Sequence, residues 1–187
     1  MSATEDHLKP MLTLNRRTSA LLLIDFQARL MPAIEDGAAL VANARRLLAA
    51  AQMFGVPALI TEENPAGLGA TAPELAQAGT PVFHKMSFDA CRMSDFAAVL
   101  PDRPDLVVAG CETHVCVLQT VLGLIEAGKR VYLVRDAVGS RRSESKEAAI
   151  GRLERHGAEI VTTEMVIFEW AETAEDPHFR DALALVR

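Results

Sequence analysis

The sequence predicts a three-layer α/β/α fold, Rossmann-like, in which one parallel sheet of six strands carries helices on both faces. Three observations lead there. Short apolar runs alternate with longer segments whose apolar residues recur at three- and four-residue spacing. The runs LLLI and LVVA show no polar alternation, as strands buried on both faces require. Several helical segments also stop at a glycine just before the next run, as at Phe54-Gly55, Ala127-Gly128 and His156-Gly157.

Taken in order, the strands are expected over residues 20–26, 58–61, 82–84, 106–109, 131–134 and 159–162. Helices are expected between them over 35–54, 73–78, 93–100, 113–127 and 143–156. Two further helical pieces, 164–173 and 177–186, would close the C-terminus over the last strand or against another subunit. Internal repeats and low-complexity segments are absent from the sequence, and no linker is long enough to separate a second domain. One domain over residues 1–187 is therefore expected, with 1–17 as an N-terminal extension.

Composition narrows the function. The chain has 187 residues, half of them hydrophobic, and a net charge of -6 with no run of five like charges. That balance gives no electrostatic case for nucleic acid or an anionic membrane. The longest apolar stretch, 115–125, includes Gln119 and Thr120 and is too short to cross a bilayer. The first residues carry acids before any base and do not form a secretory signal, so a cytoplasmic, soluble protein is expected. Three cysteines, Cys91, Cys111 and Cys116, fit a reducing compartment, and their spacing does not build a zinc knuckle.

In open parallel α/β sheets the ligand crevice lies at the carboxyl ends of the strands. Three reactive residue types fall there: Asp25 after the first run, Lys85 after the third, and Cys116 at the end of the loop GCETHVC after the fourth. Asp25 follows four apolar residues and needs a cationic or hydrogen-bonding partner; it would equally suit a helix cap or a buried ion pair. Thr113 is a good helix N-cap, which would put Cys116 at the third helical position, where amide N–H groups and the helix dipole lower a thiol pKa. From local spacing alone, Cys116 could instead be a small core residue.

The segments LLLIDFQ, HKMSFDAC and GCETHVCVLQT resemble, in the right order, the three signature segments of the isochorismatase-like cysteine hydrolases. VYLVRDAVGSRR and the ending TTEMVIFEWAETAEDPHFRDALALVR resemble that family too, so the likeness covers nearly the whole chain from Ser19. The resemblance implies sheet order 3-2-1-4-5-6 and a catalytic triad of Asp25, Lys85 and Cys116. It implies an oxyanion hole formed by the backbone N–H groups of Glu112 and Cys116, with a non-proline cis peptide between Cys111 and Glu112. It further implies a small-molecule substrate with an amide, carbamoyl, ester or related bond, and a homo-oligomer, dimer or larger.

The nicotinamidase branch of that family carries an Asp-x-His pair and a further His after the second strand. Here that stretch reads ITEENPAGLG, with no histidine between His7 and His84, so no metal or other cofactor is expected. Phe26, Asn64, Leu68 and Phe88 are candidates for the substrate pocket, although each also suits packing or turn chemistry. His114, two residues from Cys116, does not face it on a helix and is read as a first-turn or interface residue. Asp136 is expected to stabilise a neighbouring loop, and Trp170 to pack at an interface. A dinucleotide-binding role fails because DFQARLMPA contains no glycine-rich phosphate loop. A catalytically silent oligomeric scaffold of the same fold remains the alternative, and thiol labelling would separate it from an enzyme with enhanced reactivity at Cys116.

Overall fold

The structure is a computed structural model and describes residues 12–76 and 79–187. Much of the expected N-terminal extension therefore lies outside the described residues. Six strands form one sheet: β1 (Ser19–Ile24), β2 (Ala58–Glu63), β3 (Val82–Lys85), β4 (Asp105–Cys111), β5 (Arg130–Gly139) and β6 (Glu159–Val161). Their order is β3-β2-β1-β4-β5-β6 and every pairing is parallel. The chain reverses direction across the sheet between β1 and β4, so the carboxyl ends of those two strands flank the crevice this topology provides.

Residue alternation along the strands builds two cores. Leu21 and Leu23 of β1, Val107 and Ala109 of β4 and Tyr132 of β5 face a layer made of α1 (Gly37–Phe54), α6 (Thr163–Ala171) and α7 (Phe179–Leu185). Ala20, Leu22, Ile24, Leu106 and Val108 face the opposite layer, which holds the one-turn α3 (Phe96–Val99), α4 (Leu118–Glu126) and α5 (Ser143–Arg155). Every residue of β1 and β4 is buried, which is why those runs carry no polar alternation. Among the described residues, no helix is long and apolar enough to cross a membrane.

Several expected boundaries shift for local reasons. Of the helix expected over 73–78, residues 73–76 form a turn in which the Ala76 N–H bonds back to the Ala72 and Pro73 carbonyls; residues 77 and 78 lie outside the described residues. The segment after β2 makes another short turn, α2 (Pro65–Leu68), which Asn64 caps by accepting from the Gly67 N–H at 3.3 Å. β5 runs on to Gly139, past a register shift opposite Val108 and Gly110, where only 131–134 was expected. Trp170 is fully buried in the core under α1 and not at a surface, because α6 turns its apolar side onto the sheet. Asp136 caps α6 by accepting from the N–H and hydroxyl of Thr163 at 2.8 and 3.0 Å.

Gly110 lets β4 approach β1 just before the candidate site. Its φ is +153°, and a methyl group there would collide with the Ile24 carbonyl oxygen and stand 2.7 Å from Ile24 Cβ. The backbone of Ile24 sets the position of Asp25, so the strands cannot part to make room. Gly110→Ala is expected to cost about 2–3 kcal/mol, read as a lower urea midpoint at unchanged slope.

Candidate active site

β2 and β3 each end in an ionisable side chain and β1 is followed directly by one, and their parallel register brings those ends together. Glu63 pairs in register with Lys85, and the Asp25 N–H bonds to the Thr61 carbonyl at 3.1 Å. Asp25 itself sits at φ +54°, a left-handed conformation uncommon outside glycine and asparagine, which turns the chain sharply off the end of β1. Its side chain is consequently aimed along the sheet edge toward β2 and β3.

The resulting network is almost fully enclosed: Asp25 is 0%, Lys85 1% and Cys116 6% exposed. Lys85 Nζ donates to Asp25 Oδ2 at 2.7 Å and to Glu63 Oε2 at 2.9 Å. Thr61 Oγ1 donates to Asp25 Oδ1 at 2.6 Å. Gln27 clamps the backbone of Glu63 from both sides, accepting from its N–H at 2.9 Å and donating to its carbonyl at 3.0 Å. Donor atoms of Asp25, Glu63 and Cys116 all lie within 4.8 Å of one another. Their types would suit a metal ion, but the Lys85 ammonium already spans both carboxylates.

Cys116 reaches this cluster from the other side. The Cys111–Glu112 peptide is cis, Glu112 occupies the cap position, and the helix opens with a π-turn, Thr113–Val117, before α4 begins. Thr113 therefore does not cap: it is the first helical residue, its buried hydroxyl has no partner among the described residues, and Cys116 is fourth in the helical run. The wide turn, with the Val117 N–H bonded to the Glu112 carbonyl at 3.2 Å, is a local irregularity of the kind found at functional sites. Glu112 is fixed by Arg141, whose N–H and Nε both lie 3.0 Å from its Oε2. His114 Nδ1 pairs with Ser140 Oγ at 3.0 Å and faces a 450 Å³ hollow shared with Arg141, Arg142 and Ser145.

Electrostatics differ from the sequence reading at Cys116. Burial raises its pKa, the hydrogen-bonded Asp25 carboxylate raises it further, and Lys85 only partly opposes them. Burial, the largest cause, therefore keeps the sulfur a thiol facing Asp25. Burial alone would lower the Lys85 pKa, but the Asp25 charge and the hydrogen bonds that Lys85 donates to Asp25 and Glu63 more than offset it and raise the value, so the ammonium is retained.

The other thiols are also pushed up to about 12, Cys111 by burial and then Glu112, Cys91 by burial and then Asp89. Above pH 9.0, the ordinary thiol value, the unfolded chain loses these protons while the folded chain keeps them. Stability should fall between pH 9 and 12, by up to about 1.4 kcal/mol per pH unit for the fully buried Cys111. Urea titrations at pH 8 and 10 should show a smaller loss for Cys111→Ala than for the native chain.

The pocket candidates fare unevenly. Phe26 is completely enclosed in the core beneath α1 and has no surface to offer a ligand. Asn64 is a turn cap, Leu68 is half-buried in the same turn, and Phe88 is 50% exposed on the segment after Lys85. A 430 Å³ cleft between α1 and the loop after β1, lined by Met31, Val41 and Ala72 among others, holds no nucleophile beside a base. Sequence reasoning missed Glu63, Thr61 and Gln27. The second strand was ended at Thr61, so the rule that found Asp25 and Lys85 stopped two residues short of Glu63.

Residues 19–165 match the profile of the isochorismatase domain. The chain is 34% identical over 175 residues to isochorismatase domain-containing protein 2 of Danio rerio, covering 92% of this chain and 89% of that protein. Among solved structures, one described as MAR1 ribonuclease from Caenorhabditis elegans superposes with a TM-score of 0.88 at 33% identity, covering 93% and 92% of the two chains. The YcaC gene product of Escherichia coli, described as an octameric hydrolase of unknown specificity, superposes with a TM-score of 0.85 at 27% identity, covering 95% and 89%. With its six-stranded sheet order and a domain match over most of its length, the chain belongs to the isochorismatase family.

Proposed function

We propose that this protein hydrolyses a small carbonyl compound, an amide, carbamoyl compound or ester, through a covalent intermediate on Cys116. The observation that carries this reading is the meeting of a thiol from the helix start after β4 with a carboxylate and an ammonium from the ends of β1 and β3 inside one enclosed network. Asp25 accepts the thiol proton as sulfur attacks the carbonyl carbon, so no free thiolate has to persist in the buried site. The developing oxyanion is held by the N–H groups of Glu112 and Cys116, a contribution of about 3 kcal/mol per donor. Collapse breaks the bond to the leaving group, which takes the proton from Asp25. Water then gives a proton to Asp25 and attacks the carbonyl carbon of the thioester or thiocarbamate; the C–S bond breaks, the product leaves, and the sulfur regains that proton from Asp25. Lys85 compensates the negative charge throughout.

Assembly into a homo-oligomer is part of the proposal, supported by the octameric description of the E. coli protein and by exposed Met86 and Phe88 beside Lys85. Ribonuclease activity, the description given to the C. elegans protein, is disfavoured here by a net charge of -6 and by two carboxylates beside the sulfur. The test is an activity screen of the purified protein against small amides, carbamoyl compounds, esters and isochorismate, with the Cys116→Ala variant alongside. Turnover by the native chain alone supports the reading; equal turnover by both refutes it.

A further inference from the structure

The thiol mechanism uses Asp25 and Lys85 but gives no role to Glu63, a second carboxylate in the same enclosure. Glu63 closes β2, its side chain is 9% exposed, and only one of its oxygens, Oε2, bonds to Lys85. Gln27 holds its backbone in place, so the carboxylate is built into the site and does not wander at the surface. A carboxylate oxygen of Glu63 lies within 4.8 Å of the Cys116 sulfur. A carbonyl carbon poised for attack stands about 3–3.5 Å from that sulfur. A substituent of that carbon directed toward Glu63 can reach hydrogen-bonding distance of its carboxylate.

Glu63 is a poor choice for promoting the thiolate, since its charge opposes ionisation of Cys116, whose pKa burial and Asp25 already raise. Its presence is better explained by the substrate. Two carboxylates share one ammonium, leaving the cluster with one net negative charge and acceptor oxygens around the nucleophile. Such a surface favours a neutral group that brings N–H donors and disfavours one that brings lone pairs or a further negative charge.

Resting on the thiol-triad reading above, we propose that Glu63 selects the substrate by accepting an N–H from the group bound beside Cys116. The site takes neutral primary amides and ureas and turns away esters and carboxylates.

Three small alkylating probes test this: acrylamide, which carries two N–H donors, and methyl acrylate and N,N-dimethylacrylamide, which carry none. In each reaction sulfur bonds to the terminal alkene carbon and the thiol proton passes to the neighbouring carbon. Rates at Cys116, followed by mass spectrometry of the intact protein and its peptides, are divided by rates with glutathione to remove intrinsic reactivity. The native chain is expected to favour acrylamide by roughly 10- to 100-fold, the range of a hydrogen bond to a charged group. In Glu63→Gln that preference should shrink about 10-fold, on top of any change common to all three probes.

Equal normalised rates in the native chain overturn the proposal, whatever becomes of the variant. Equal slowing of all three probes in Glu63→Gln also overturns it, since that is what loss of support for Lys85 alone would give. Failure of every probe to label Cys116 faster than glutathione is a different result: it removes the triad reading, and this proposal falls with it.

Discussion

Cys116→Ala is expected to lose turnover by a factor on the order of 10⁵ for any compound that the native chain hydrolyses, while the fold stays intact. The loss follows from the position of the sulfur, which faces Asp25 in the buried network with Lys85 and Glu63 and is the group placed to attack. Alanine leaves a small apolar gap where a thiol packed, so thermal stability should change by about 1 kcal/mol or less. Cys116→Ser should fare little better, because its hydroxyl is far harder to deprotonate and Asp25 must take that proton from a desolvated oxygen. Asp25→Asn keeps the shape but replaces an acceptor by a donor, and should leave Cys116 in place yet unreactive. Steady-state kinetics with circular dichroism on the three variants would measure this, and a Cys116→Ala protein that still turns over substrate would remove the residue from its assigned place.

The parts of the fold legible in the sequence were those written in burial. β1 and β4 are covered on both faces, and LLLI and LVVA announce that directly. Gly55 ends α1 in a left-handed conformation at φ +69°, a backbone state glycine adopts freely. What stayed hidden depends on shape more than on polarity. Residues 73–76 carry helix-like spacing and begin with Pro73, yet make only a turn. Thr113 has the composition of a cap, yet the chain enters the helix through a π-turn that advances the register by one residue. Nothing in the spacing of GCETHVC encodes that extra residue.

Site legibility divides the same way. Asp25 and Lys85 drew notice because each follows an apolar run, and Cys116 because it closes the loop after the fourth, a pattern that parallel topology converts into proximity. The ionisation state of Cys116 was misjudged because the helix dipole is local and visible, whereas burial and the facing Asp25 are contributed by residues roughly 90 positions away in sequence. Phe26 was misplaced for a related reason: adjacency to Asp25 suggested a pocket wall, but the left-handed turn at Asp25 carries the next side chain into the core beneath α1, on the face of Leu21 and Leu23. Lys85 raises the sharpest energetic question, because it alone stands between two enclosed carboxylates.

Lys85→Met is therefore expected to be the most damaging single change to stability, at about 3–5 kcal/mol, the usual cost of removing one member of a buried ion pair. Methionine fills the volume of the lysine stem but leaves Asp25 and Glu63 facing each other without a cation. Two like charges so confined are relieved by taking up a proton. The folded variant then binds more protons than its unfolded chain at neutral pH, so its deficit relative to the native protein should grow from about pH 4 to pH 7. Replacing one acid removes the repulsion: Lys85→Met with Glu63→Gln should recover about 1–2 kcal/mol over Lys85→Met alone, a non-additivity expected only for groups in contact. Urea unfolding of the native chain, both single variants and the double variant at pH 5 and pH 7 measures all of these terms. A Lys85→Met variant within 1 kcal/mol of native at pH 7, or additive behaviour across the cycle, would mean that the ammonium does not hold the two carboxylates together.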